Sequence, residues 1–352
     1  MNLYSHLDIN KFIVVGDIQG EFKQFFHKIR INSIDKVEEI EKESLLDSKT
    51  MEEFEPYLEN VPSSISRKFF DYGYDLRQYG RYSINNCLII VSGDCGFGFE
   101  KEEYYHQIFN KYIKLLEKNN IYVYFIRGNH DNPSYFEEQK INYERIKTIP
   151  DYSVIQIENK NILCVGGGIS IDRSWRKQEE FRINKYKKNN KKVLYWENEA
   201  PLYCQEKLEE IIQNNININT IISHTSPYFV FPTQKDGLKE WARVDNNLYN
   251  DVEKERYTLN NVLDFLLGNK QKIENLYYGH FHTNYHRKEK NIHFYALSEM
   301  QFMEIVPQIE KKENDDFWLH FDTSFLGTIS NLRENVVIEN PQNEERNVEK
   351  FF

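Results

Sequence analysis

Five short apolar runs, each cut off by a small polar cluster, constrain this chain more than any other feature. Phe12–Val15 runs into GDIQG, Cys87–Val91 into SGDCG and Tyr122–Ile126 into RGNHD. Thr220–Ile222 runs into SHTSP and Leu276–Tyr278 into GHFHT. Unbroken β-branched and aromatic runs of this kind fit strands buried on both faces of a sheet. Helical spacing lies between several of them. Phe22, Phe25, Phe26 and Ile29 fall at i, i+3, i+4, i+7, and Tyr105, Ile108, Phe109 and Tyr112 repeat the pattern. Leu208, Ile211 and Ile212 predict a third helix, and Thr258 as N-cap with Gly268 past the end predicts a fourth. Alternation of strand, loop and helix is the α/β pattern, in which ligands bind beyond the carboxyl ends of strands. All five polar clusters occupy such positions, so they are expected to meet.

At 352 residues with 40% hydrophobic and 15% aromatic content, the chain can build a sizeable core. A net charge of −10 argues against wrapping duplex nucleic acid by charge alone, while leaving room for a basic pocket around one phosphate. Cys87, Cys95, Cys164 and Cys204 form no CxxC pair, which disfavours a zinc ribbon or a disulfide framework and favours reduced thiols. The N-terminus lacks a basic region followed by an apolar stretch of signal length, and no run approaches the roughly 18 apolar residues that span a bilayer. A cytoplasmic protein with no membrane partner is expected.

Besides the closing Asp of RGNHD, the clusters hold two Asp, one Asn, one Gln and four His, and need no thiolate. Hydrolysis of a phosphate ester at neutral pH needs a strong nucleophile and positive charge beside the phosphoryl oxygens. Two divalent ions roughly 3.5–4 Å apart supply both. Such a site is built from a shared carboxylate, further carboxylate or amide oxygen and neutral imidazoles.

GDIQG, GDCG, RGNHD, SHTSP and GHFH, in this order over about residues 11–300, resemble the motifs of the calcineurin-like metallophosphoesterase superfamily. The resemblance implies an α/β, four-layer fold: a central β-sandwich flanked by helices, with a dinuclear metal site at the C-terminal ends of strands. It implies a domain over 11–303 with an insertion at about 32–85, and an extension over 304–352. Asp17 and His282 would hold one metal, Asp94 would bridge, and Asn129, His224 and His280 would hold the second. His130 would be catalytic with Asp94, contacting phosphate or giving a proton to the leaving oxygen; Asn129 would also contact substrate. The implied reaction is in-line attack on phosphorus by a hydroxide bridging two divalent ions, Mn²⁺ first, with Fe, Zn²⁺ or Mg²⁺ as alternatives.

The chain departs from the family pattern in three places. Gln19 stands where the family usually has His; it either ligates, directly or through water, or packs nearby, and its harder amide oxygen favours Mn²⁺ or Mg²⁺ over zinc-like ions. The Asp and Arg that protein-phosphatase-like members carry shortly after the bridging Asp are absent from CGFGFE, which disfavours phosphoprotein phosphatase activity. The insertion itself, with a possible capping box from Thr50 to Glu53, has no counterpart in a minimal member.

Gly166–Gly168 lacks the Lys-Ser/Thr of a Walker motif and reads as a tight turn. IDRSWR (171–176) and YWENEAP (195–201) resemble a loop pair of some bacterial and phage-type members. Arg173 and Arg176 there either contact the substrate phosphate or are solvated. KYKKNNKK (185–192) reads as a solvated loop, and Phe317–Phe321 as a strand. The expected substrate is a small-molecule or nucleotide phosphoester. A nuclease acting on nucleic acid, and a degenerate, non-catalytic binding or scaffold protein, are the rival readings.

Overall fold

Alternate side chains of the buried runs go to opposite cores. The computed structural model describes residues 1–9, 11–33, 84–188 and 191–305. One sheet joins β2 (Lys11–Val15), β3 (Cys87–Val91), β4 (Ile121–Phe125) and β5 (Ile146–Thr148) in parallel, with β12 (Phe302–Ile305) antiparallel on β2. In this sheet Ile13, Val15, Ile89, Val91, Val123 and Phe125 pack under α1 (Phe22–Asn32) and α2 (Glu102–Lys118). Their neighbours Phe12, Val14, Leu88, Ile90 and Tyr124 point the other way. There they meet Ile162, Cys164, Ile222, Tyr277 and Tyr295 of the second sheet. A period of two with both faces apolar is what makes these runs continuous.

The second sheet has the order β1-β6-β7-β8-β9-β11-β10. It comprises β1 (Leu3–His6), β6 (Ser153–Ile157), β7 (Lys160–Val165), β8 (Thr220–Ser223), β9 (Asn275–Tyr278), β10 (Tyr285–Glu289) and β11 (Ile292–Ala296). Its outer face is covered by α5 (Gln205–Gln213) and α7 (Leu248–Gly268) through Leu208, Ile211, Leu259, Val262, Leu263 and Leu266. Three short or solvent-facing helices complete the described residues: α3 (Ser134–Glu137), α4 (Arg173–Asn184) and α6 (Leu238–Trp241). Helix, sheet, sheet and helix are stacked as the four expected layers. The free cysteines are Cys87, Cys95, Cys164 and Cys204.

Two local expectations are corrected. The fourth helix starts at Leu248, not at Thr258, whose hydroxyl donates back to Lys254 O at 3.0 Å from mid-helix. The first ten residues looked polar because two of their buried positions, Glu255 and Arg256, are charged. Glu255 accepts Ile169 N–H at 2.5 Å, and Arg256 donates to the carbonyls of Thr233, Pro227 and Val230. Likewise IDRSWR is helical from Arg173 onward rather than loop. None of the described side chains of α4 is buried, so no apolar stripe announced it.

Asn32 and Ile84, on either side of residues 34–83, are hydrogen-bonded to each other at 2.7 Å. The capping box at Thr50 and the strand at Phe317–Phe321 lie outside the described residues. No helix among those described is long and apolar enough to cross a membrane.

Phe97, three residues past Asp94, is fully buried against the rings of Phe22, Tyr105, Phe109, Phe125, Tyr135 and Phe136. Phe97→Ala should therefore cost about 3–5 kcal/mol of stability, read by urea denaturation. A loss below roughly 1 kcal/mol would mean that this ring does not anchor the loop.

Candidate metal centre

Each of the five central strands ends at the same edge of the sandwich. Asp17 follows β2, Asp94 follows β3, and Asn129 and His130 follow β4. From the facing sheet, His224 follows β8, and His280 and His282 follow β9. The turns are tight. Gln19, Asp94, His280 and His282 take left-handed backbone at φ 48°, 45°, 66° and 52°. Such residues each cost on the order of 1–3 kcal/mol and collect at functional sites. Glycine makes room where the strands converge: a Cβ on Gly279 would lie 2.1 Å from Asp17 Oδ1.

The loop that carries Asp94 is held by Asp131. Its Oδ1 accepts Gly96 N–H (2.7 Å) and Phe97 N–H (2.8 Å), and its Oδ2 accepts Gly128 N–H (2.7 Å) and Cys95 N–H (3.0 Å). The acid of GNHD is thus a structural clamp, turned away from the cluster it follows in sequence.

Asp17 and Asp94 are both fully buried. Asp17 accepts His280 N–H on both oxygens at 3.1 Å, and its Oδ2 lies 3.1 Å from His282 Nε2. Asp94 Oδ1 accepts His130 N–H at 2.8 Å and lies 3.2 Å from His224 Nε2. Asn129 Oδ1 lies 2.8 Å from His224 Nε2 and 2.9 Å from His280 Nδ1. Potential ligand atoms of Asp17, Asp94 and His282 all lie within 4.8 Å of one another. The sandwich thus brings together every position read as a metal ligand. Gln19 is among them, with Nε2 at 3.3 Å from Asp94 Oδ2 and 3.5 Å from His282 Nε2.

The hydrogen bonds test whether cations fit. His224 Nδ1 lies 2.9 Å from the carbonyl of Ser92, which can only accept, so that nitrogen carries the proton. The neutral ring then turns an Nε2 lone pair onto two oxygens, an arrangement that requires a further proton or a metal ion. His282 repeats it: Nδ1 faces Glu299 Oε1 at 3.2 Å, leaving Nε2 toward Asp17. A ligating imidazole whose other N–H is held by carbonyl or carboxylate is the usual supporting arrangement. Carboxylate, amide oxygen and imidazole together suit hard to borderline divalent ions.

Charge distribution agrees. Burial alone would raise the Asp94 pKa, yet His130 and His224 hold it well below the ordinary carboxylate range. Burial works against a charged His224, but Asp94 and Asp17 push its pKa up to about 9. Burial, with Lys235 and His224 adding to it, holds His280 well below the usual imidazole range.

The two arginines part company. Arg173 donates to Asp245 (2.6 and 3.1 Å) and Asp251 (2.8 Å), so its guanidinium is occupied by carboxylates. Arg176 Nε donates to Asp172 at 2.8 Å while Nη2 meets His130 Nε2 at 2.8 Å. Burial, joined by Arg176 and Lys235 and opposed by Asp94, lowers the His130 pKa to about 4.

Sequence reading missed Lys235, whose Nζ lies 3.4 Å from His280 Nδ1, and also Ser170, Glu199, Glu255 and Glu299. Only Glu199 left a trace, as a member of YWENEAP; Ser170 lies two residues past the turn Gly166–Gly168.

A family model described as calcineurin-like phosphoesterase matches residues 10–284. Among solved structures, the chain is similar to phosphopantetheinyl hydrolase from Mycobacterium tuberculosis at 12% identity and a TM-score of 0.32, covering 66% of this chain and 90% of that one. It is similar to a putative 5'-nucleotidase from Staphylococcus aureus at 13% identity and a TM-score of 0.32, covering 90% of this chain and 57% of that one. No curated protein matches.

Asp131→Asn would turn an amide NH₂ toward two buried N–H groups. It should cost about 1–3 kcal/mol for each donor left unpaired, measured by urea denaturation. Unchanged stability would show that the carboxylate does not clamp the loop.

Proposed function

The chain belongs to the calcineurin-like phosphoesterase family, and from that premise we propose that it is a phosphoesterase dependent on two divalent ions, Mn²⁺ first. Asp17 and His282 would hold one ion, with Gln19 beside them, and Asn129, His224 and His280 would hold the other. One observation carries this reading: the buried Asp94 carboxylate lies between the two prospective ligand groups. Oδ1 is 3.2 Å from His224 Nε2, while Oδ2 is 3.3 Å from Gln19 Nε2 and from His130 Nδ1, so Asp94 is the carboxylate that both ions would share. When bound, the ions supply an acidified water as nucleophile and offset charge on the phosphoryl oxygens.

The chain's own residues supply the rest. His130 and Arg176, both partly exposed, meet at 2.8 Å beside Asp94, and guanidinium N–H groups match phosphate oxygens. Arg176 reaches this position from α4, so it stands in for the Arg missing after Asp94. Lys235, with Nζ 3.4 Å from His280 Nδ1, adds positive charge to the cluster. Arg173, already paired twice, supports α4 and does not reach substrate. The supported substrate is a small-molecule or nucleotide phosphoester, and the acidic chain disfavours nucleic acid.

With Mn²⁺, the purified chain should hydrolyse an aryl phosphate mono- or diester. Asp94→Asn should lower kcat/KM by roughly 10²–10³-fold or more, the scale of losing one preorganised charge contact. A wild type inert with Mn²⁺, Mg²⁺, Zn²⁺ and Fe²⁺ alike would sink the proposal. Gln19→His should tighten metal retention and shift tolerance toward Zn²⁺, measured by metal analysis after dialysis; an unchanged profile would place Gln19 outside the ligand set.

A further inference from the structure

Asn129 faces a choice that its shape does not settle. The oxygen and nitrogen of a carboxamide occupy nearly the same space, and only the oxygen can hold a cation. The nitrogens that lie against Oδ1 do not decide between them: His224 Nε2 accepts from NH₂ in the neutral ring and donates to oxygen in the protonated one, and His280 Nδ1 can do either.

The deciding contacts lie behind the amide. Asn129 Nδ2 donates to Ser170 Oγ at 2.9 Å. Ser170 Oγ donates to Glu199 Oε2 at 2.6 Å, and Ser170 N–H donates to Glu199 Oε1 at 3.0 Å. A hydroxyl has a single proton and a carboxylate can only accept. Burial pushes the Glu199 pKa up to about 8; with Glu199 ionised the Ser170 proton is committed to it, and Ser170 shows Asn129 nothing but lone pairs. Turning the amide over would set oxygen against oxygen. Bulk solvent does not reach that clash, since Asn129, Ser170 and Glu199 are 2%, 1% and 0% exposed.

The backbone registers the two ends of this chain of hydrogen bonds. Arg127, two residues before Asn129, donates to Glu199 O at 2.7 Å and Ala200 O at 2.9 Å. Gly168 lets the segment leading to Ser170 pass close: a Cβ there would lie 3.2 Å from Asn129 Oδ1 and 3.0 Å from His224 Cδ2.

We infer that Ser170 and Glu199 are positioning residues that lock the Asn129 amide with its oxygen toward the second cation site. The inference rests on the metal-centre reading above. It gives a role to two sequence features, the Gly-rich turn after β7 and YWENEAP, that the metal ligands leave unexplained.

The test is Mn²⁺ titration of the metal-stripped full-length protein by calorimetry and EPR, with thermal melts to confirm folding. Ser170→Ala removes the lock. Glu199→Gln keeps the size but replaces an acceptor with an N–H donor, which frees the serine proton to turn toward Asn129 and favours the reversed amide. Wild type should bind two Mn²⁺. Both variants should lose about 10–100-fold in affinity for one ion and keep the other, Glu199→Gln at least as severely as Ser170→Ala. Weakening of both ions alike would mean a general structural role and overturn the inference, as would unchanged binding in the folded variants. Wild-type protein that binds no Mn²⁺ would instead defeat the metal-centre reading itself.

Discussion

Asp94 sits where two sheets, three loops and most of the charge of the site converge, and with Asp17 it sets the electrostatic condition that the surroundings must satisfy. Both carboxylates are fully buried. Taking a carboxylate out of water costs several kcal/mol even after relaxation, unless opposite charge and hydrogen bonds compensate. The compensation is incomplete in side chains alone. His130 N–H and His224 serve Asp94, and His280 N–H and His282 serve Asp17, but each ring does so only with a second proton or with a metal ion between it and the oxygen. A cluster arranged this way is poised for cations.

Holding such a cluster together requires a rigid surround, and the chain builds it from buried polar groups. Asp131 takes four backbone N–H groups of the Asp94 and Asn129 turns. Arg127 grips the carbonyls at Glu199 and Ala200, and Arg256 those of the loop after His224. Glu255 joins that loop to the turn after β7 through Thr225 and Ile169. Buried polar groups of this kind are stabilising only when every member is satisfied. Their near-complete pairing lets strained turns and converging charges coexist. By contrast α4, which carries Arg176 to His130, buries none of its described side chains and is tied down by ion pairs, notably Arg173 to Asp245 and Asp251. The α4 edge of the site is therefore tied down by surface ion pairs, whereas the carboxylates and imidazoles of the interior are held by buried hydrogen bonds.

How much was legible depended on where each element's side chains go. β2, β3, β4, β8 and β9 could be read because both faces are buried and the apolar run is unbroken. β10, with sequence YHRKE on a sheet edge, carries no such run. The first half of α7 was hidden because Glu255 and Arg256 occupy core positions, and α4 because it has no core face. Among site residues, those inside the five motifs stood out. Lys235, Glu255 and Glu299 did not, since a single Lys or Glu in a polar stretch is indistinguishable from a solvated one.

The sequence by itself determined the layered strand–loop–helix order, the family and the inventory of ligand-type side chains. Those properties are local: they depend on periodicity and on short motifs at strand ends. Only the tertiary structure decided which atoms face which. That Asp94 lies between the two prospective ligand groups, that Arg176 meets His130 while Arg173 is spent on carboxylates, and that Glu199 dictates the direction of the Asn129 amide all depend on contacts between residues dozens to hundreds of positions apart. Hydrogen-bond direction and burial exist only once the two sheets have closed on each other, because the donors and acceptors involved lie on separate loops and on α4.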